Sequence, residues 1–297
     1  AASAGWGNAG GGATQAIMPL ILGAILMFGV EQAMGWRVAL LVPGIMMLIV
    51  GVMYWKLTQD CPQGNFKELR EQGVEVGNVK KGGTAILIQA ARNYRVWILF
   101  VSYAACFGIE IFIHNIAAMY YVDHFNMGLK EAGMTAGIFG LLALFARALG
   151  GIVSDKVALK KGLDGRTKVL FVLVLLEGIF LFLFSQVNVV TLAIITMTIF
   201  GLFTHMACGA TYALVPFIDR NALGGVAGII GAGGNVGAVA AGFLLKGLLD
   251  IQTCLSILGI LVAIAAFSVV LIRFTAEHKE KEQDLFEQAL LERNTAA

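Results

Sequence analysis

The stretch GAGGNVGAVAAG, Gly231 to Gly242, decides how this chain is read: its side chains are small enough for helix backbones to touch, yet one uncharged amide interrupts the apolar run. A second stretch of the same kind, AGWGNAGGGATQ, runs from Ala4 to Gln15. The two share Gly-Asn-x-Gly, Gly7-Asn8-Ala9-Gly10 against Gly234-Asn235-Val236-Gly237. Around them the 297 residues are 58% hydrophobic and 13% charged, with a mean hydropathy of +0.81. That is far more apolar than an ordinary soluble domain. Apolar runs recur at 5–30, 36–55, 96–120, 132–154, 168–186, 190–217, 224–247 and 253–273. Most exceed the roughly 20 residues that cross a bilayer as helix. The alternation of a membrane barrel is absent, so an all-α membrane protein with eight spans is expected.

The Gly-Asn stretches fall in the first and seventh runs, six spans apart. A parallel six-span repeat is the mark of a two-bundle secondary transporter with its site between the bundles. On that reading residues 1–55 hold the last two helices of an N-terminal bundle and 56–95 a cytosolic inter-bundle loop. Residues 96–273 form the six-helix C-terminal bundle and 274–297 a cytosolic tail. Eight of twelve helices are then present, and four more precede them.

Charge placement sets the expected orientation. Seven Lys and Arg lie between spans two and three, five between spans four and five, one at Arg220 and four from Arg273 onward. Only Arg37, Lys130 and Lys246 fall on the other side. Positive residues stay in the cytoplasm, which puts the long loop and the C-terminus there. Glu277 and Lys281, with Leu285, Phe286, Ala289 and Leu290 as one stripe, suggest a short amphipathic helix in the tail. Four scattered cysteines, with no CxxC, imply neither disulfide nor metal and read as small hydrophobes.

One cation, Arg147, belongs to neither side. Arg at a helix centre costs about 2.5–3.5 kcal/mol on insertion scales. Ala143, Gly150, Gly151 and Ser154 share its face, and a small-residue face packs on protein rather than lipid, so Arg147 is expected to point into the bundle. On the third span Tyr103, Phe107, Glu110 and His114 recur at helical spacing on one face. For Glu110 and His114 a structural ion pair and a proton relay both stand open. The amides of Asn8 and Asn235 either bond a neighbouring helix or line a substrate path, and their repetition favours the path. The small-residue spacing of Gly7 with Gly11, and of Gly233 and Gly234 with Gly237 and Ala238, is explained by close packing alone. His205, Gly209 and Tyr212 form a stripe on the sixth span that reads as packing. Glu177 has no evident partner in the sequence.

These stretches, with FARALGGIVSDK (Phe145–Lys156) and CGATYALVPF (Cys208–Phe217), closely resemble the nitrate/nitrite porter family of the major facilitator superfamily, especially its algal and plant high-affinity members. The resemblance implies the major facilitator fold and places the Gly-Asn stretches, with Gly7, Gly10, Gly11, Gly233, Gly234 and Gly237, as the family's nitrate signatures in helices five and eleven. It implies that Arg147 binds the anion beside Asn8 and Asn235, with Tyr103 and Phe107 flanking it. Glu110 and His114 are the candidates for proton coupling. Gly151, Asp155, Lys156, Gly165 and Arg166 match the superfamily's cytoplasmic loop motif. One of the family's two substrate arginines lies in a helix that precedes this chain.

The expected activity is alternating-access transport of nitrate, or nitrite, across the plasma membrane, by proton symport, with nitrate/nitrite exchange as the alternative. Partners implied are the anion, protons, membrane lipid and a single-span accessory protein. No cofactor, metal or nucleic acid is expected. An enzyme would need a nucleophile with a base or a metal cluster, and the four His at 114, 124, 205 and 278 are too dispersed to supply either. A channel would need a selectivity filter, usually built around symmetry.

Overall fold

A computed structural model describes residues 9–61, 63–73, 83–247 and 250–295. The described residues are helical throughout, apart from turns and one isolated bridge between Cys61 and Gly64. Six helices are long and apolar enough to cross a membrane: Ala33–Leu57, Tyr94–Phe125, Leu129–Gln186, Val190–Phe217, Arg220–Lys246 and Ile251–Leu271. Ile17–Met27 is a shorter apolar helix.

Residues Ile17–Ala85 form one compact unit. It contains most of α1 (Ala9–Met27) and all of α2 (Gln32–Leu57), followed by the one-turn α3 (Phe66–Glu71). Gly29, at φ +83°, makes the turn between α1 and α2. A side chain at Gly35 would stand 2.7 Å from Leu26, so the two helices touch just beyond that turn. Pro19 and Pro43 lie inside them.

From Ile86 onward the chain belongs to the other unit. It takes in the end of α4 (Gly83–Ala91), then α5 (Tyr94–Tyr103), a π turn over Ala104–Gly108 and α6 (Ile109–Phe125). α7 (Leu129–Leu142) and α8 (Ala146–Gln186) follow, then α9 (Val190–Leu214), α10 (Leu223–Lys246), α11 (Ile251–Ser268) and α12 (Ala276–Thr295). Asp250 caps α11, accepting from the Thr253 amide at 2.9 Å and its hydroxyl at 2.6 Å.

Two spans are less regular than their sequences suggest. The third, expected as one helix, contains the π turn. The fourth kinks at Ala143–Phe145, where the amides bond three residues back to Gly140, Leu141 and Leu142 at 3.1, 3.1 and 3.3 Å. Where the loop motif suggests a loop from Gly151 to Lys168, helix continues on both sides of a single reversal at Gly162 (φ 58°, ψ −148°). Only glycine reaches that left-handed region cheaply.

Close backbone approach holds this unit together. A Cβ on Gly209 would lie 1.9 Å from the Arg147 carbonyl oxygen, and one on Gly150 would lie 2.0 Å from that of Met206, so α8 and α9 touch main chain to main chain. Gly178 meets α11 at Ala263 in the same way, at 2.4 Å. In lipid, helices associate through such packing rather than through hydrophobic burial. Aromatic rings fill the space between, with Phe200 lying 5.3 Å from Phe139 and 5.9 Å from Phe184.

α12 docks through polar groups. Arg220 grips Glu282 with both Nε (2.9 Å) and Nη2, Lys279 reaches Asp164 at 2.6 Å, and the His278 ring nitrogen Nε2 meets the Phe217 carbonyl at 3.0 Å. Of the expected apolar stripe, Leu285 is exposed, and the side chains of Phe286, Ala289 and Leu290 lie outside the described residues.

Gly209→Ala is expected to cost about 1–3 kcal/mol, because the added methyl must push two backbones apart. Gly228→Ala, where nothing lies within 4 Å, should be neutral. Unfolding of the purified protein in detergent measures both.

Candidate functional site

The kink before α8 delivers Arg147 in the first turn of the following helix. Its side chain is buried at 5% exposure, as the small-residue face predicts. Gly209 packs against its carbonyl from behind, which fixes where the guanidinium can reach. Nη2 donates to Oε2 of Glu110, itself 2% exposed, and the guanidinium carbon stands 5.1 Å above the Phe107 ring. Phe107 stacks on Tyr103 at 5.0 Å, and Tyr103 meets Tyr212 edge-on at 5.1 Å.

Glu110 is the hub. Besides Arg147, its Oε2 lies 3.3 Å from Nδ1 of His205 and accepts from the Cys208 thiol at 3.6 Å. Its Oε1 is 3.7 Å from Nε2 of His114. The other nitrogen of His205 is 3.0 Å from the Phe139 carbonyl. One acid, two imidazoles and one guanidinium from α6, α8 and α9 therefore converge beside an aromatic wall from the third span. A guanidinium already sits against the acid. Among the described residues no group of three His, Cys, Asp or Glu could hold a metal ion.

The structure thus brings together Arg147, Glu110, His114, Tyr103 and Phe107, all singled out in the sequence. It adds His205, Cys208 and Tyr212. His205 and Tyr212 were legible as a stripe, but their packing role was the simpler reading. Cys208 gave no signal. Glu177, at 0% exposure, lies beside Thr204 and within electrostatic reach of Cys106 and Glu110, with neither carboxyl oxygen in a hydrogen bond of ordinary geometry among the described residues.

The glycines of the second Gly-Asn stretch are packing devices. A Cβ on Gly233 would lie 2.5 Å from the Phe100 carbonyl, one on Gly234 2.3 Å from the Phe107 ring and one on Gly237 2.3 Å from the Ala104 carbonyl. They press α10 onto the π turn and hold Phe107 in place. Asn235 faces away from this contact: it is exposed, and its amide donates to its own helix, to Gly231 at a long 3.4 Å. Among the described residues it bonds no other helix. In the first Gly-Asn stretch, Gly10 and Gly11 lie in α1, while Gly7 and Asn8 lie outside the described residues.

The loop motif is also assembled. Arg166 pairs with Asp155 and stacks over Phe217 at 4.8 Å, and these residues, with Lys156, Lys279 and Glu282, line a cavity of about 480 Å³ beneath α12. A Cβ on Gly165 would lie 2.9 Å from that of Lys161 and 3.0 Å from the Val157 carbonyl oxygen. Gly151, buried on α8, faces Gly209, where an added Cβ would lie 3.2 Å from its amide nitrogen.

Fold and site define a multi-pass, all-helical membrane protein with a charged cluster buried among its helices. The chain belongs to the Major Facilitator Superfamily, whose family model matches residues 1–163 and again 115–295. It is 39% identical over 241 residues to High affinity nitrate transporter 2.5 of Arabidopsis thaliana, covering 80% of this chain and 47% of that protein. It is 40% identical over 241 residues to Nitrate transporter 2.2 of Chlamydomonas reinhardtii, covering 80% and 46%. To the Nitrate/nitrite transporter NrtP of Nostoc punctiforme it is 26% identical over 329 residues, covering 89% and 65%. The chain spans about half the length of the first two relatives.

Asn235→Ala should change stability by less than about 0.5 kcal/mol, as for a surface site without structural contacts. The same unfolding assay measures it. A loss of 1 kcal/mol or more would mean the amide has a packing role.

Proposed function

We propose that this chain is part of a secondary transporter that takes up nitrate with protons by alternating access. The carrying observation is the buried ion pair of Arg147 with Glu110. A planar guanidinium with a fixed fork of donors suits a planar oxyanion, and here the fork is already engaged by a carboxylate. An incoming anion competes with Glu110 for Arg147. Two like charges 4 Å apart repel by about 4 kcal/mol at an effective dielectric near 20. A proton on Glu110 removes that repulsion, so anion and proton favour each other's binding. The imidazoles of His114 and His205 stand beside Glu110. Phe107 and Tyr103 give the anion an aromatic wall, and Asn235, exposed on α10 of the same bundle, lines its path.

In this reading the 58-residue segment Leu129–Gln186 crosses twice and α1 and α2 cross once each, which gives eight of twelve spans. The protein resides in the plasma membrane with its long loop and tail in the cytosol, and a single-span accessory protein assists it. The names of the plant and algal relatives support nitrate as substrate. The name of the cyanobacterial relative keeps nitrite, and exchange of nitrate for nitrite, as the second reading.

Cytosolic pH and isotope uptake followed in oocytes expressing the full-length protein separate these. Cytosolic acidification on adding nitrate means symport, and isotope uptake without acidification that depends on internal nitrite means exchange.

Arg147→Lys should abolish uptake at matched surface amount although the charge is kept. A flexible ammonium cannot offer two coplanar donors, and one lost charge-assisted bond forfeits about 1.5–3 kcal/mol, roughly ten- to a hundredfold in affinity. Near-normal nitrate affinity in this variant would place the anion elsewhere. Glu110→Gln should keep nitrate binding but flatten the dependence of uptake on external pH. An unchanged pH profile would remove Glu110 from the coupling.

A further inference from the structure

His205 is fully buried, and both its ring nitrogens face acceptors. Nε2 lies 3.0 Å from the carbonyl of Phe139, and Nδ1 lies 3.3 Å from Oε2 of Glu110. A carbonyl can only accept, so Nε2 must carry a hydrogen. In the neutral ring that leaves Nδ1 as a bare acceptor pointing at a carboxylate, lone pair against lone pair. The contact is satisfied only when one further proton sits between them, as imidazolium with carboxylate or as imidazole with carboxylic acid. His114 is not placed to do this, since its nearest approach to Glu110 is 3.7 Å.

We propose that His205 is the proton carrier of the site, holding on Nδ1 the proton that passes to Glu110 when an anion reaches Arg147. The step balances within the cluster. The Nδ1–H bond breaks, an O–H bond forms at Oε2, and imidazolium with carboxylate becomes neutral imidazole with carboxylic acid. The Phe139 carbonyl keeps its hydrogen bond throughout, so the ring need not turn.

Charge accounting shows why this links the two ligands. The other groups facing the pair are Arg147 and Glu177 from α8, Cys208 from α9, and Cys106 and His114 from the third span; Glu177 and His114 are the same in all four states below and drop out of the comparison. α11 carries no Asp, Glu, Lys, Arg or His. With His205 protonated and no anion bound, Arg147, Glu110 and His205 sum to one positive charge, which attracts an anion. With anion and proton both aboard the sum is zero, and with both gone it is again zero. With an anion but no proton the sum is one negative charge, which a buried site disfavours. Imidazole is the side chain suited to trade a proton near neutral pH.

This inference rests on Arg147 as the anion site. Its test is His205→Gln in the full-length protein, an uncharged side chain that can still donate to Phe139. Nitrate affinity, read from nitrate-dependent thermal protection in detergent, should change by about tenfold per pH unit in the wild type if one proton is linked. In the variant that slope should fall to less than twofold per unit, with affinity held near the wild type's alkaline-side value. A wild-type slope in His205→Gln, or a slope lost in His114→Gln and kept in His205→Gln, overturns the proposal.

Nitrogen-15 spectra of histidine-labelled wild type need no variant. They should show His205 with hydrogen on Nε2 at alkaline pH, and the opposite tautomer also overturns the proposal. If Arg147→Lys leaves nitrate binding intact, the transport reading fails instead, while those spectra still decide the protonation of His205.

Discussion

Everything distinctive in this bundle follows from burying one guanidinium among helices. An arginine taken out of water needs a partner, and breaking such a buried pair costs about 3–5 kcal/mol. Glu110 meets that demand, and its own second oxygen then needs donors. The imidazoles of His114 and His205 and the thiol of Cys208 gather around it for that reason. The cluster is thus a chain of obligations that begins at Arg147. The same chain makes it responsive, since any anion that satisfies Arg147 releases Glu110.

Such a cluster is useful only if its members cannot drift, and glycine supplies the rigidity. Gly150 and Gly209 bring α8 and α9 into main-chain contact on either side of Arg147. Gly233, Gly234 and Gly237 do the same for α10 against the third span, immediately behind Phe107. The residues that look emptiest in the sequence set the distances among the most highly charged ones. This explains why a chain so rich in glycine forms long helices: main-chain contacts replace the side-chain packing that glycine gives up.

The helical class and the burial of Arg147 were legible because lipid imposes them. Long apolar runs have one solution in a bilayer, and a lone arginine on a small-residue face has one inward direction. Glu110 was legible as costly but not as the partner of Arg147, because 37 residues of sequence separate them and periodicity speaks only within one helix. His205 was misjudged for the same reason, since its partners Phe139 and Glu110 sit on other helices. The kink at Ala143–Phe145 and the π turn left no mark, as no proline signals either. The polar contacts that dock α12, through His278, Lys279 and Glu282, were not legible because their partners lie more than fifty residues upstream.

The π turn at Ala104–Gly108 has a geometric corollary. A π turn accommodates one residue more than the α-helix it interrupts. If it tightened to α, the segment beyond it would rotate by one residue's worth of angle, about 100°, and advance about 1.5 Å. Glu110 and His114 lie in that segment, while Tyr103 lies before it. The third span therefore contains a swivel between its aromatic half and its acidic half. Gly108 and Gly237, whose backbones lie too close to admit a Cβ, are the brake upon it. Lifting α10 by the width of one methyl group would free an axle on which the acid turns away from its arginine.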